Sequence, residues 1–167
     1  MAVRPIVRYP DPALRNPCAA VDTFDGDLRA LADDLLDTMR AAPGVGITAA
    51  HIGVLKRVTV IELSREDGVR VYVNPIIENA SDETARHTEG SVSMPGVTDE
   101  IERPARIRVR YQSLTGEHVT EDADGFLATC IQHEIDQLDG IFWLQRLSRL
   151  KRDRAIKRWE KMLRAPG

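Results

Sequence analysis

The sequence predicts an α+β fold: one domain over residues 1–167, with antiparallel strands between two apolar-patterned helices and a last helix towards the C-terminus. Three observations carry this expectation. Apolar residues recur at helical spacing from Asp25 to Ala42 and from Asp124 to Leu138. Between them, β-branched runs alternate with turn residues. No repeat, low-complexity tract or linker divides the chain, so one layered domain accounts for all of it.

The elements follow in order. Residues 1–23 are irregular, because Pro5, Pro10, Pro12 and Pro17 prevent a long helix. Tyr9-Pro-Asp-Pro reads as a turn into a short segment. Leu28, Leu31, Leu35 and Met39 form the core stripe of the first helix, Asp25 or Asp27 caps it, and Pro43 stops it. Strands are expected at Arg57–Leu63 and Val69–Pro75, joined through a turn at Gly68, with Pro75–Glu78 as a further strand. Thr98–Glu102 and Ala105–Gln112 read as antiparallel strands; in the second, Ile107, Val109 and Tyr111 alternate with Arg106, Arg108 and Arg110. Ser113–Gly116 is a turn, and His118–Asp122 a return strand with His118 exposed. The central helix spans Asp124–Leu138 and ends at Gly140. A last helix covers about 150–163. Residues 146–164 hold nine Lys or Arg and two acids, a solvated face by default and an anion-docking surface otherwise.

Composition excludes several classes. Apolar residues make up 43% and charged residues 29%, and the net charge is −3. This balance gives no reason to expect DNA or membrane binding by the whole body. No apolar run reaches the length of a membrane span. Met-Ala-Val-Arg-Pro-Ile lacks a signal-peptide core. Cys18 and Cys130 are too few for a disulfide framework, so a cytoplasmic location is expected.

The stretch Cys130–Gly140 is where the chemistry concentrates. His-Glu-x-x-His on a helix sets two imidazoles one turn apart to bind a metal, and the Glu acts on metal-bound water. Here His133 and Glu134 are present, but Gln137 occupies the fifth position, and a neutral amide binds zinc or iron poorly. Taken alone, His133 and Glu134 read as an ordinary histidine and a solvated charge. Upstream, Gly44-Val-Gly-Ile-Thr-Ala-Ala-His-Ile-Gly53 brings backbone close to a ligand or another strand. It lacks both the P-loop lysine and the Rossmann spacing.

These segments, in fixed order with Glu89-Gly-Ser-Val-Ser93 between them, resemble peptide deformylase. That family carries G-x-G-L-A-A-x-Q-x-G, then E-G-C-L-S, then Q-H-E-x-D-H-L-x-G. The likeness extends to Tyr9-Pro-Asp-Pro, to a Glu102-Arg-Pro104 turn and to the basic C-terminal helix. The resemblance implies a fold of short antiparallel sheets around the helix bearing the motif. It also implies a metallohydrolase in which a Cys and two His hold a divalent metal (Fe, Zn or Ni) and metal-bound water attacks the formyl group of N-formylmethionyl nascent peptides. The Glu shuttles the proton, while a Gln and a backbone N–H hold the oxyanion.

Carried over by position, the catalytic candidates are Glu134 as proton shuttle, the Val92 N–H, and His51 in place of the oxyanion Gln. The metal positions are Ser91, His133 and Gln137, of which only His133 keeps its ligand type. A hydroxyl and an amide lose most of the affinity of a thiolate and an imidazole, in sites whose total is ~10–16 kcal/mol. The expectation is therefore vestigial ligand positions and no stable cofactor, or a weakly bound divalent metal at most. Val45, Gly46, Glu89, Phe126 and Cys130 are candidate substrate-binding residues, the apolar ones with Thr129 forming a methionine-sized pocket. Cys130 reads as core packing in preference to a replacement ligand.

Three functions follow. The leading one is a family member with little or no deformylase activity, kept to bind formyl-Met peptides or, through its basic C-terminal helix, the ribosome. The second is a working deformylase whose weakened metal site is rewired through His51. The third is a hydrolase using Ser91 as nucleophile, although Glu-Gly-Ser-Val-Ser is not a nucleophile elbow.

Overall fold

The computed structural model describes residues 2–165; residues 1, 166 and 167 of the expected domain lie outside them. Helix α1 runs Gly26–Ala41, and the Asp25 carboxylate caps it by accepting from the Leu28 N–H at 3.1 Å. Leu28, Leu35 and Met39 on this helix are buried, and Leu31 packs against the same cluster. Seven strands follow: β1 Gly46–Thr48, β2 Val58–Ile61, β3 Arg70–Ala80, β4 Thr84–Glu89, β5 Asp99–Pro104, β6 Arg106–Gln112 and β7 His118–Asp124. Helix α2 is Gly125–Leu138 and α3 is Arg149–Arg164.

Among the described residues these strands pair antiparallel, and an isolated bridge between Ala19 and Lys56 is parallel. One sheet has the order β1-β2-β3-β6-β7, and β4 pairs only with β5 in a separate ribbon. Helix α2 is the element both sheets share. Its Ala128, Cys130, Ile131 and Ile135 pack on Ile61, Tyr72, Ile107 and Val109, and ten of its residues are buried. A helix enclosed on so many sides is apolar over most of its circumference, so any polar group on it needs a partner. Gln132 shows this, donating to Pro104 O and Ala128 O, both at 3.0 Å.

Two strand expectations need correction. Pro75 was expected to divide one strand from the next, yet β3 is continuous from Arg70 to Ala80. The register shifts between Val73 and Ile76, and Asn74 takes a positive φ of 52°. This bulge absorbs the proline, while Asn74 bridges Val21 and Gln112 with its side-chain amide. The Glu102-Arg-Pro104 segment was expected as a turn and is instead the end of β5. Strand β4 was not expected at all. Thr-Ala-Arg-His-Thr-Glu has no apolar alternation, since its neighbour β5 covers one edge and solvent most of its face.

The N-terminal segment closes over the end of α2. Its 3-10 turn, Pro12–Arg15, buries Leu14, and Cys18 N–H donates to Leu138 O at 2.8 Å. Helix α3 packs through Ala155 and Trp159, whose indole donates to Tyr9 O at 3.1 Å. Gly140 ends α2 at φ 81°, where a Cβ would stand 2.7 Å from Arg15 O. Gly53 has a similar φ of 78° with nothing near it. Gly140→Ala is therefore expected to lower unfolding free energy by about 2–5 kcal/mol, combining left-handed strain with a backbone clash. Gly53→Ala carries only the strain, about 1–2 kcal/mol. Urea midpoints of the two variants check the difference.

Candidate functional site

A cavity of about 460 Å³ lies between the β1 region, the 88–98 segment and α2. That size suits a small ligand or a peptide terminus. Ser91, Val92, His51, His133 and Glu134 line it, as do all five expected substrate-binding residues, Val45, Gly46, Glu89, Phe126 and Cys130. Gln137 is not among the lining residues.

His133 and Glu134 reach the cavity from α2, His133 beside Glu89 of β4 and Glu134 against Gly46 of β1. The His133 ring is 12% exposed, and its Nδ1 lies 2.9 Å from Glu89 Oε1. Its Nε2 is 3.7 Å from Glu134 Oε1. Glu89 in turn accepts two bonds from Arg103, Nε to Oε2 at 2.7 Å and a terminal nitrogen to Oε1 at 2.9 Å. Arg103 also donates to Asp136 at 2.8 Å, and Asp136 takes a bidentate pair from Arg146 at 2.7 and 2.9 Å. A chain of alternating charge thus runs from the cavity to the exposed Arg146 in the segment preceding α3.

Electrostatics follow from this chain. Burial alone would raise the Glu89 pKa, but the His133 and Arg103 hydrogen bonds outweigh it and hold the carboxyl below its ordinary value. Burial alone would lower that of His133; the Glu89 hydrogen bond and the Glu134 charge reverse the direction, and the ring is raised above 6.5. Burial pushes Glu134 up to about 7, opposed by His133 and reinforced by Glu89. Its Oε2 is buried without a partner among the described residues. Gly46 makes room for it, since a Cβ there would stand 3.3 Å from the Glu134 carboxyl carbon. Burial also pushes the Cys130 thiol up to about 12, which leaves it an unreactive wall residue.

The remaining candidates are engaged differently from expectation. Gln137 was expected at a vestigial ligand position beside His133. Its amide instead donates to Leu14 O at 2.8 Å, binding the N-terminal 3-10 turn to α2. Ser91 Oγ accepts from Ser93 N–H at 3.1 Å. Glu89 was expected to bind substrate, but its oxygens are taken by Arg103 and His133, so it positions His133 and holds the wall. His51 is 1% exposed; its Nδ1 accepts from Thr48 N–H at 2.9 Å, and its Nε2 is buried without a partner. Burial first, and the nearby His133 second, push its pKa down to about 3. Thr129 joins His87 at 2.9 Å beside Phe126 at the mouth. Among the described residues, no three His, Cys, Asp or Glu side chains are grouped to hold a metal ion.

Sequence reasoning missed Arg103, the centre of the charge chain. Its signal was present: Arg103 shares a strand face with buried Ile101, so period 2 directs a charge inward. Replacing it with Met removes the cation that Glu89 and Asp136 share and leaves Glu89 to His133 and Asp136 to Arg146 alone, so Arg103→Met is expected to cost about 3–5 kcal/mol at neutral pH. Glu89 has a depressed folded pKa, so its contribution is present above the ordinary 4.5 and lost as pH falls through the folded value. The stabilities of Arg103→Met and the parent should therefore converge below about pH 4.5, as read from urea unfolding across pH.

The comparisons with known proteins agree with this geometry. A family model described as polypeptide deformylase matches residues 3–153. A peptide deformylase-like protein of Brucella melitensis is 66% identical over 98% of this chain and 100% of its own length. A peptide deformylase of Phenylobacterium zucineum is 51% identical over 99% of each chain. The crystal structure of Ehrlichia chaffeensis peptide deformylase in complex with actinonin superposes with a TM-score of 0.90 at 39% identity, covering 99% of this chain and 100% of that one. The Legionella pneumophila peptide deformylase structure gives 0.91 at 36% identity, with the same coverage. With a family match over nearly its whole length and this fold, the chain belongs to the polypeptide deformylase family.

Proposed function

We propose that this chain is a deformylase-family protein that binds capped peptide N-termini, formyl-Met chains above all, with little or no deformylation and without a stable metal. The observation that carries this reading is the Gln137 amide, which donates to Leu14 O and lies outside the cavity lining. The family's metal needs a thiolate and two imidazoles, and the residues here do not fit it. Ser91 offers a neutral hydroxyl already bonded to Ser93 N–H, and of the three ligand positions only His133 keeps an imidazole, its Nε2 turned towards Glu134. His51 does not make up the set, because its Nδ1 is occupied by Thr48 N–H.

What the residues can do is bind. Val45, Phe126 and Met94 supply apolar wall for a methionine-sized side chain. The Val92 N–H makes no hydrogen bond among the described residues and can donate to a carbonyl. Glu134 holds or releases a proton near neutrality. The basic exposed face of α3, including Arg154, Lys157 and Lys161, is the part of the chain suited to ribosomal RNA. The described helices include none long and apolar enough to cross a membrane, in keeping with a cytoplasmic role beside the ribosome.

A second reading, an active metal-dependent deformylase, is favoured by the 51% identical Phenylobacterium zucineum protein, named a peptide deformylase. A Ser91 hydrolase has no such support: neither His51 nor His133 hydrogen-bonds to Ser91 Oγ. Protein purified anaerobically with iron or nickel is expected to carry far less than one metal per chain and to release no formate from a formyl-Met peptide. Stoichiometric metal with turnover would establish the active enzyme instead. The triple variant Ser91→Cys, Gln137→His and His51→Gln is expected to gain both metal and formate release, measured by elemental analysis and a formate assay.

A further inference from the structure

A second cavity, of about 450 Å³, lies between the Pro12–Arg15 turn, a 3-10 turn at Trp143–Arg146 and the start of α3. It shares no lining residue with the first. Its size suits a small ligand.

One arginine in its wall breaks a rule that the others keep. Among the described residues five arginines are buried or half-buried: Arg4, Arg57, Arg70, Arg103 and Arg152. The first four are paired with Asp34, Asp139, Glu121 and Glu89, at 3.0, 2.8, 2.7 and 2.7 Å. The guanidinium of Arg152 makes no hydrogen bond or ion pair among the described residues, and its Nε is buried without a partner. A half-buried guanidinium gives up hydration that an anion best replaces. Arg152 lines the second cavity, so that is where a counter-ion has room.

The rest of the wall suits one kind of anion. Arg15 is a second cation there, also without an ion pair among the described residues. Asp11 is the one acid; its Oδ1 accepts from Ala13 N–H at 2.9 Å, and no ion pair joins it to either arginine. Two cations and one anion leave a single positive charge, which matches a carboxylate better than a phosphate dianion. A guanidinium takes a carboxylate through two parallel N–H bonds. Beside these groups the wall is flat and apolar. The Tyr9 ring stacks on Phe142 with centroids 5.3 Å apart and planes 14° apart, and Leu144 is buried. The Tyr9 hydroxyl and the Gln145 side-chain amide make no hydrogen bond among the described residues, which leaves both free to meet a ligand.

We propose that this cleft is a second ligand site, which takes a small organic carboxylate bearing a flat ring. Arg152 and Arg15 hold the carboxylate, and the ring lies against Tyr9. No residue of the first cavity takes part, so the site stands whether or not that cavity receives peptides.

The test is a ¹H–¹⁵N NMR titration of the full chain and of Arg152→Met, following the Arg152 Nε–H and Gln145 side-chain signals. The probes are benzoate, benzamide, phenyl phosphate and inorganic phosphate. Benzoate should shift both signals saturably in the parent. It should bind about tenfold tighter than benzamide, which has the ring without the charge, and about tenfold tighter than inorganic phosphate, which has charge without the ring, each the equivalent of ~1.4 kcal/mol. Phenyl phosphate should bind no tighter than benzoate. Arg152→Met should lose about tenfold in benzoate affinity. Its urea midpoint should equal or exceed that of the parent, because no partner within the fold is lost. A lower midpoint means that the guanidinium has such a partner, and overturns the assignment. Equal binding of benzamide or of inorganic phosphate, tighter binding of phenyl phosphate, or benzoate shifts confined to residues of the first cavity also overturn it. So does a parent protein that shows no saturable shift at millimolar benzoate.

Discussion

The guanidinium of Arg103 is the fixed point of this structure. It is 6% exposed and faces Glu89 on one side and Asp136 on the other, so it joins the β4–β5 ribbon to the central helix. Burying one cation between two anions makes no large net gain, because desolvation opposes the Coulombic attraction. What it does is make the arrangement hard to leave, since removing Arg103 takes a buried partner from Glu89 and Asp136 at once. Arg146 then ties Asp136 to the segment leading into α3. The ribbon, the helix and the C-terminal packing therefore share one set of ionic contacts, and His133 hangs from its inner end through Glu89.

A carboxylate behind a histidine fixes the ring and raises its basicity, as Glu89 does for His133. Gln137 is a clamp on Leu14, and Ser91 is a partner of Ser93 N–H. A fold built by the remaining contacts keeps its shape, which is why the chain superposes on deformylase structures at TM-scores near 0.90.

Much of this was legible from residue patterns. The stripe of Leu28, Leu35 and Met39 and the Asp25 cap gave α1, and the apolar run through Ile131 and Ile135 gave α2, because periodicity reports burial directly. Strand β4 was not legible, since a ribbon with solvent on one face needs no apolar alternation. Pro75 misled because its effect on a strand depends on whether a neighbour such as Asn74 can form a bulge. At the site, residue identities placed the candidates in one cavity but could not say which way they face. Gln137 and Glu89 are both polar at expected positions; one turns out of the cavity and the other has its oxygens filled, facts set by partners 123 and 14 residues away in sequence.

The distinction between satisfied and unsatisfied polar atoms is what separates structure from function here. An unmade hydrogen bond in the interior costs about 1–3 kcal/mol, so orphaned groups are rare unless something outside the fold completes them. Cys130, Gln137 and Glu89 line or flank the cavity with their needs met or absent. His51 Nε2 and Glu134 Oε2 do not, and both belong to side chains of the cavity wall. One is a fixed donor and the other titrates near neutrality, so together they offer a complementary pair to a group with both an acceptor and a donor. An amide is such a group: its carbonyl oxygen suits the imidazole N–H, and its N–H suits the carboxylate. The cavity thus has the polarity of an amide site.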